Sequence, residues 1–356
     1  MIRYELGDRT EAEWSHLWQE NPAQTGSAKE WPLGWILENE QGQIVGFFGN
    51  IPQDYELQGK SLTAAAAFSW VVEQPYRRQY AHSLLQEFSS QGGPAFLLNT
   101  SANPRTSKVF AEAGFQRVPI GNYGTSYYWI TNHRGFATSA LIQKGYPAPP
   151  LISRPLALAL KSYSLIKSHP HARGGIQLQS KIQKDLTFLT HFDARFDQFW
   201  QTFRERKTGL IAVRDRRHLE WHYRYSILNQ KAWILSYELG GEIMAFATFF
   251  KQDNAKIGLT RLRMADFQSN IPEQSPIVLA AMIEKALIRC KSEQIHMLEL
   301  VGFRPDLVGD AQKAAPYHRS LPTWLYYYKA CSIDLDRHLS TQNIWAPTFY
   351  DGDITL

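Results

Sequence analysis

The stretch VVEQPYRRQYAHSLLQEF, Val71 to Phe88, closes an apolar run, turns at Pro75 and enters an amphipathic helix through two adjacent arginines. The first turn of a helix leaves backbone N–H groups without intrahelical partners, and the helix dipole favours negative charge there. A strand, turn and helix in this order therefore outline a phosphate cradle. Such cradles use glycine to let backbone approach the anion, and this stretch has none. The anion contacts are accordingly expected from the side chains of Arg77, Arg78 and His82. The run before it, SLTAAAAFSWVVE, reads as a long strand whose alanines let another group press against its backbone.

Working outward, Trp35–Glu38 and Ile44–Asn50 flank Asn39-Glu40-Gln41-Gly42 as an antiparallel hairpin. Upstream, IRYELG reads as a short strand and DRTEAEWSHLWQE as a helix capped by Thr10, with Trp14, Leu17 and Trp18 on one face. Downstream come a Gly92-Gly93-Pro94 break, a strand FLLNTSA, a helix NPRTSKVFAEAG ended at Gly114, and closing strands in FQRVPIGNYGTSYYWIT. From Gly145 the composition changes to a proline-rich connector, YPAPPLISRP, then a helix LALALKSYSLIK and a loose segment SHPHARGG.

The pattern restarts near Ile176. Two helices, DARFDQFWQTFRERK and DRRHLEWHYRYSI, precede a hairpin WILSYELGGEIMAFATFF. Trp-Ile-Leu occurs at Trp35–Leu37, followed by GQIVGFF, and again at Trp233–Leu235, followed by GEIMAFA. FLLNTSA and HMLELVG repeat in the same order, about two hundred residues apart, which marks an internal duplication. The expected organisation is a domain over 1–145, a linker with connecting helix over 146–175, and a second domain over 176–356.

Composition supports two packed domains: 356 residues, 44% hydrophobic and 20% charged. Lys and Arg exceed Asp and Glu by 38 to 33, a modest bias that suits an anionic partner such as a nucleotide cofactor. Cys290 and Cys331 are too few for a disulfide framework and lack zinc spacing, which fits a reducing cytoplasm. No secretory leader opens the sequence and no run reaches the ~20 apolar residues of a membrane span. His169 and His171 have no carboxylate or cysteine at ligand spacing, so no metal is expected. The absence of a nucleophile elbow, a P-loop and a dinucleotide fingerprint excludes the common hydrolase, kinase and dehydrogenase designs. The segment RDRRHLEWHYRY mixes Arg214, Arg216, Arg217 and Arg224 with Trp221 and Tyr223. Such interleaving can stack on nucleic acid bases, but at helical spacing it makes one buried aromatic face and one solvated basic face, so nucleic acid is disfavoured as a partner.

The order of hairpin, long strand, arginine-rich turn, helix, strand, helix ending in Gly-Phe and closing strands, with EQPYRRQYAHSLL and NPRTSKVFAEAGF at its key points, resembles the GNAT (N-acetyltransferase) superfamily. The resemblance covers most of residues 1–130 and, more faintly, 176–332. The whole chain thus resembles tandem GNAT proteins, including those of exopolysaccharide biosynthesis. It implies an α/β (α+β) fold of two tandem GNAT-like domains, each a mixed, mostly antiparallel twisted sheet flanked by helices. It also implies an N-acyltransferase. The donor would be acyl-CoA or the phosphopantetheine of an acyl carrier protein, and the acceptor a small-molecule or peptide amine: an amino sugar, a peptide or an amino acid. A long fatty acyl group, as in GNAT-type lipopeptide maturases, belongs to the same class.

The resemblance also assigns residues. Val71, Val72, Arg77, Arg78, Gln79, Tyr80, Ala81 and His82 would hold the cofactor at the turn. Asn99 and Asn103 flank the end of the next strand, where the family receives the pantetheine arm, although Asn103 before Pro104 also reads as a helix cap. Glu73 stands where the family places a base, acting directly or through water. Glu299, within HMLELVG, is the second candidate base and a buried acid if its strand is central. The sequence departs from the family where Tyr80 and His82 replace the signature glycines. It departs again at Phe110, which stands in place of a tyrosine that protonates the leaving thiolate; a phenyl ring donates no proton. Two other readings therefore stay open: a tandem GNAT scaffold that has lost catalysis, and an aminoacyl-tRNA-dependent transferase using the basic segment.

Overall fold

A computed structural model describes residues 9–25, 31–120, 124–146, 149–167, 181–301, 314–321 and 325–356. The expected strand IRYELG and the segment SHPHARGG, with His169 and His171, lie outside the described residues.

In chain order the elements are α1 (Glu11–Gln19), the single turn α2 (Pro22–Thr25), β1 (Gly34–Glu38), β2 (Ile44–Leu57), β3 (Lys60–Val72), α3 (Gln74–Ser90), β4 (Phe96–Ala102), α4 (Pro104–Glu112), β5 (Gln116–Arg117), β6 (Thr125–Ile130), α5 (His133–Gln143) and α6 (Pro149–Lys167). There follow β7 (Leu186–Leu189), α7 (Arg195–Arg206), β8 (Leu210–Ala212), α8 (Arg216–Leu228), β9 (Ala232–Leu239), β10 (Glu242–Lys251), β11 (Arg261–Ser269), α9 (Ser275–Ser292), β12 (Met297–Val301), β13 (Tyr317–Ser320), β14 (Leu325–Ala330) and α10 (Ile333–Leu339). Local chemistry sets the boundaries. Thr10 and Glu13 form a reciprocal capping box that starts α1. Gln58 and Gly59, at φ of 52° and 75°, join β2 to β3, and Gly240 and Gly241, at 60° and 88°, join β9 to β10. Two consecutive left-handed residues match the twist of a tight hairpin.

The chain forms two compact units, each assembled from separated segments: Met1–Ile120 with Trp200–Tyr225 and Pro322–Leu356, and Gly121–Phe199 with Ser226–Leu321. The first has the strand order β1-β2-β3-β4-β14-β5, with β8 also on β2. The second has β13-β6-β12-β11-β10-β9-β7. The duplicated plan is visible in both: a hairpin, a long strand parallel to the strand after a helix, and a short antiparallel strand beside it. In the first sheet that last position is filled by β14 and in the second by β6. The compact units therefore cross the contiguous boundaries expected at 1–145 and 176–356, because each sheet takes a strand from the far end of the other half. The connector differs as well. Most of YPAPPLISRP is the first part of α6, where two prolines open the helix without cost to it and Pro155 lies inside.

In the first unit, α3 packs on the sheet through an aromatic core in which Phe48 and Phe88 lie 4.8 Å apart and Phe110 is fully buried. In the second, α9 covers β9 to β12 through Val278, Met282, Leu262, Met264 and Leu298. The basic–aromatic segment divides as helical spacing predicts: Leu219, Trp221, His222 and Tyr223 are buried while Arg216, Arg217 and Arg224 are exposed. Arg214, ahead of the helix, is the exception at 1% exposure.

α8 is also fastened to β2 by an ionic bridge. His218 Nδ1 lies 2.7 Å from Asp215, and Nε2 lies 3.2 Å from Asp54. Burial alone would lower this imidazole, but hydrogen bonds to Asp215 and Asp54 outweigh it and raise its pKa above 6.5. A raised folded-state value gives stability that is complete below pH 6.5 and is lost as pH climbs through the folded value. The urea midpoint of the protein should thus exceed that of His218→Gln most at pH 6, with the difference shrinking towards pH 9.

Candidate functional site

β3 and β4 run parallel but pair only from Ala64–Ala66 to Phe96–Leu98. Beyond that vertex β3 stays on β2 as far as Val72, and β4 stays on β14 as far as Ala102. The facing edges of residues 67–72 and 99–102 are thus unpaired, with no strand between them among the described residues. A bulge explains the divergence: Gly49 pairs with Phe68 but Phe47 pairs with Val71, and Ser69 holds a φ of 50°. The extra residue re-aims β3 away from its parallel neighbour. On the diverging stretch, the Trp70 indole N–H is buried and has no hydrogen-bond partner among the described residues, and its ring packs on Phe48 and Phe110.

α3 begins at this opening, but earlier than the arginine-based signature places it. Its first residue is Gln74, and the Tyr76 and Arg77 amides both donate to the Glu73 carbonyl at 3.0 Å. Arg78, Gln79, Tyr80, Ala81 and His82 therefore sit inside the helix, where their amides bond four residues back. The expected turn is a continuous helix, and the missing glycines have a plain cause: none of these positions has a positive φ. Backbone cradling of a phosphate by residues 78–82 is ruled out by this geometry, which leaves the exposed side chains of Arg77, Arg78, Gln79 and His82. Arg77 donates from Nε and Nη2 to the Val72 carbonyl at 3.1 and 3.0 Å, tying the helix start to the strand end. Val72 is buried, Val71, Tyr80 and Ala81 are half-buried, and half-buried Glu73 donates its amide to Val45.

On the other arm of the opening, Asn99 accepts from the Ser101 amide at 3.2 Å. Asn103 caps α4 by accepting from Arg105 and Thr106, and that task occupies its side chain oxygen. Phe110 lies in the dry core, edge-on to Trp70 and Phe115.

The sequence gives no warning of what fills the far side of the opening. The last residues, Thr348 to Leu356, are threaded into the first unit by buried polar groups. Arg214 bridges the Ala212 carbonyl at 2.7 Å and Asp351 at 3.2 Å. The hydroxyls of Tyr326 and Tyr350 donate to the carbonyls of Thr348 and Val213, at 2.7 and 2.6 Å. A Cβ at Gly352 would stand 2.4 Å from Thr100 Oγ1, so only glycine allows this approach to β4. His222 shares a 2.7 Å hydrogen bond with Thr355, and burial followed by the charges of Arg214 and Arg9 pushes it down to about 3, so it is neutral. The turn Asp353–Thr355 touches both β3 and β4. Asp353 accepts from Thr100 Oγ1 at 3.2 Å and Ser101 Oγ at 3.0 Å.

In the second unit, β11 and β12 also pair only as far as Arg263 and Glu299. Glu299 is fully buried there and receives Arg263 Nε at 2.5 Å, Arg319 Nη2 at 2.5 Å and Ser126 Oγ at 2.5 Å, with Arg261 at 3.7 Å. Burial would raise this carboxyl, but the Arg263 and Arg319 charges prevail and hold it at about 2. A carboxylate so paired stays ionised at neutral pH and ties β12 to β6, β11 and β13.

No protein-family model matches the sequence, and neither does any curated protein. Solved structures do match. Saccharomyces cerevisiae N-myristoyltransferase with bound myristoyl-CoA aligns at 13% identity over 91% of this chain and 71% of its own, with a TM-score of 0.50. The same yeast enzyme with myristoyl-CoA and inhibitors gives 14% identity, 90% and 72% coverage, and 0.50. A GCN5-related N-acetyltransferase from Anabaena variabilis gives 11%, 84% and 62%, and 0.47. The fold is GNAT-like. The two mixed sheets flanked by helices are those expected from the sequence, and among the described residues no helix is long and apolar enough to cross a membrane. The first unit supplies an open pair of strand edges and a helix start rimmed by the exposed side chains of Arg77, Arg78, Gln79 and His82.

Proposed function

We propose that the chain is an N-acyltransferase that carries an acyl group from acyl-CoA to an amine, in the gap between β3 and β4. The gap itself carries this reading: two adjacent parallel strands lose their pairing beyond Ala66 and Leu98, leaving backbone donors and acceptors along the arms for the amide-rich pantetheine chain. Arg77, Arg78 and His82 offer the phosphates side-chain partners at the opening. The residues from Ala64 to Ala67 keep the vertex narrow and apolar. The yeast N-myristoyltransferase of the same fold binds myristoyl-CoA, which favours CoA over a carrier protein as donor and a long acyl chain over acetyl. The acceptor amine belongs to a peptide, an amino acid or an amino sugar such as those of surface polysaccharides. In the reaction the neutral amine attacks the thioester carbonyl, the C–S bond breaks, and the thiolate leaves with a proton.

Calorimetry with CoA, acetyl-CoA, octanoyl-CoA and myristoyl-CoA, followed by thiol release with an amine panel, tests the proposal. Affinity is expected to rise with chain length, and Arg78→Ala to weaken every member about tenfold, the loss of one charge-assisted contact. Absence of binding to all four would favour the scaffold reading.

A further inference from the structure

We propose that Asp353 is the proton acceptor of this site, taking the proton from the substrate ammonium so that a neutral amine attacks the thioester. The inference rests on the acyltransferase reading and gives one residue a role in it. Its basis is position. Thr100 and Ser101 lie on the part of β4 that has left β3, where β4 carries one extra residue against β14: Asn99 pairs with Tyr327 but Ala102 with Leu325. A bulge re-aims neighbouring side chains, and the one carboxylate of Asp353 reaches both hydroxyls. The Asp353–Thr355 turn also runs close to β3 as well as β4. The carboxylate therefore stands at the opening between the two strands.

Its surroundings suit proton transfer. Burial raises the Asp353 carboxyl above its ordinary 3.8, against the opposing pull of the Ser101 and Thr100 hydroxyls and of Arg9. A base moved closer to neutral pH is a better match for general-base work. The charged and titratable groups around it are Arg9, Tyr326 and Asp351, the last neutralised by Arg214. Arg9 adds a sign of an absent ligand. Its Nη2 donates to the Leu356 main-chain oxygen and its guanidinium lies 5.2 Å over the Phe68 ring on β3. Its Nη1 is buried with no hydrogen-bond partner among the described residues. A carbonyl or carboxylate oxygen of the amine substrate would satisfy that donor, which points to an amino acid or peptide as acceptor.

The proton balance is complete within the reaction. The ammonium gives one proton to Asp353, the nitrogen lone pair forms the amide bond, the C–S electrons leave with sulfur, and the amide nitrogen's remaining extra proton ends on the thiolate.

The test uses the full chain, myristoyl-CoA and the best amine from the panel. Asp353→Asn should bind myristoyl-CoA within about twofold of wild type while kcat falls roughly 100-fold or more, the usual worth of a general base. Asp353→Glu should recover part of it. Ser101→Ala, which removes a donor to the ionised carboxylate, should move the acidic limb of the kcat/KM profile to higher pH, and a merely structural Asp353 would leave that limb in place. Wild-type protein that binds no acyl-CoA overturns the acyltransferase reading itself. Wild type that turns over while Asp353→Asn keeps both kcat and the acidic limb overturns this inference alone. Should Asp353→Asn fail to fold, an unmoved limb in Ser101→Ala is the overturning result.

Discussion

Glu299→Ala is expected to destabilise the second unit by about 3–5 kcal/mol, the cost of leaving a buried charge without its counter-ion. Three guanidinium groups converge on this carboxylate, and Arg263 is only 2% exposed. Removing the anion strands positive charge at the vertex where β11 and β12 part. The same geometry sets a pH dependence. The folded carboxyl is held at about 2 against an ordinary 4.5, so its stabilisation is fully present above pH 4.5 and drains away as pH falls towards 2. The urea midpoint should drop sharply in Glu299→Ala at pH 7, and less at pH 3, where the wild type has begun to lose the same contribution. A midpoint at pH 7 within experimental scatter of wild type would mean that the cluster does not hold the sheet.

Asp351→Ala should cost the first unit a similar amount, about 3–5 kcal/mol, because Arg214 at 1% exposure loses its counter-ion. Asp351 also accepts from the Thr348 hydroxyl and amide, closing the turn that starts the last segment. Its loss therefore frees Thr348–Leu356 from Arg214 as well as from that cap. Activity should fall further than stability at temperatures where the protein stays folded, since Asp353 lies two residues on and depends on this anchor for its place. Chemical denaturation combined with thiol release separates the two effects. Equal loss in both would reduce Asp351 to a purely structural part.

Much of the fold was legible, and the reasons are local. The hairpins are written in Asn39–Gly42 and Gly240-Gly241, whose backbone freedom the turns use. The repeated Trp-Ile-Leu marks equivalent strands, β1 and β9, in the two sheets. The strand exchange was not legible. TSYYWI and LYYYKA are short aromatic strands of the same pattern, and propensity says that each is a strand without saying which sheet edge it joins.

The site was half legible for a related reason. The strand–helix join lies within Val71–Phe88 as the sequence leads one to expect, but the helix starts three residues ahead of Arg77. Pro75, a residue suited to the first turn of a helix, was the better marker, and it puts the start at Gln74. Glu299 announced itself as a buried acid needing partners. Its partners were not legible: Arg261 and Arg263 come from β11, and Ser126 and Arg319 from β6 and β13, strands distant in sequence from β12. Asp353 and its anchors left no trace, because DGDITL matches no motif and its meaning comes from Thr100, Ser101 and Arg214, all more than a hundred residues away.

The central claim is that the gap between β3 and β4 holds the acyl donor. A crystal structure of the chain grown with myristoyl-CoA tests it most directly. The prediction is density for the pantetheine arm between residues 67–72 and 99–102, with the phosphates beside Arg77, Arg78 and His82. An empty gap at saturating ligand, or myristoyl-CoA bound along β11 and β12 instead, would contradict it.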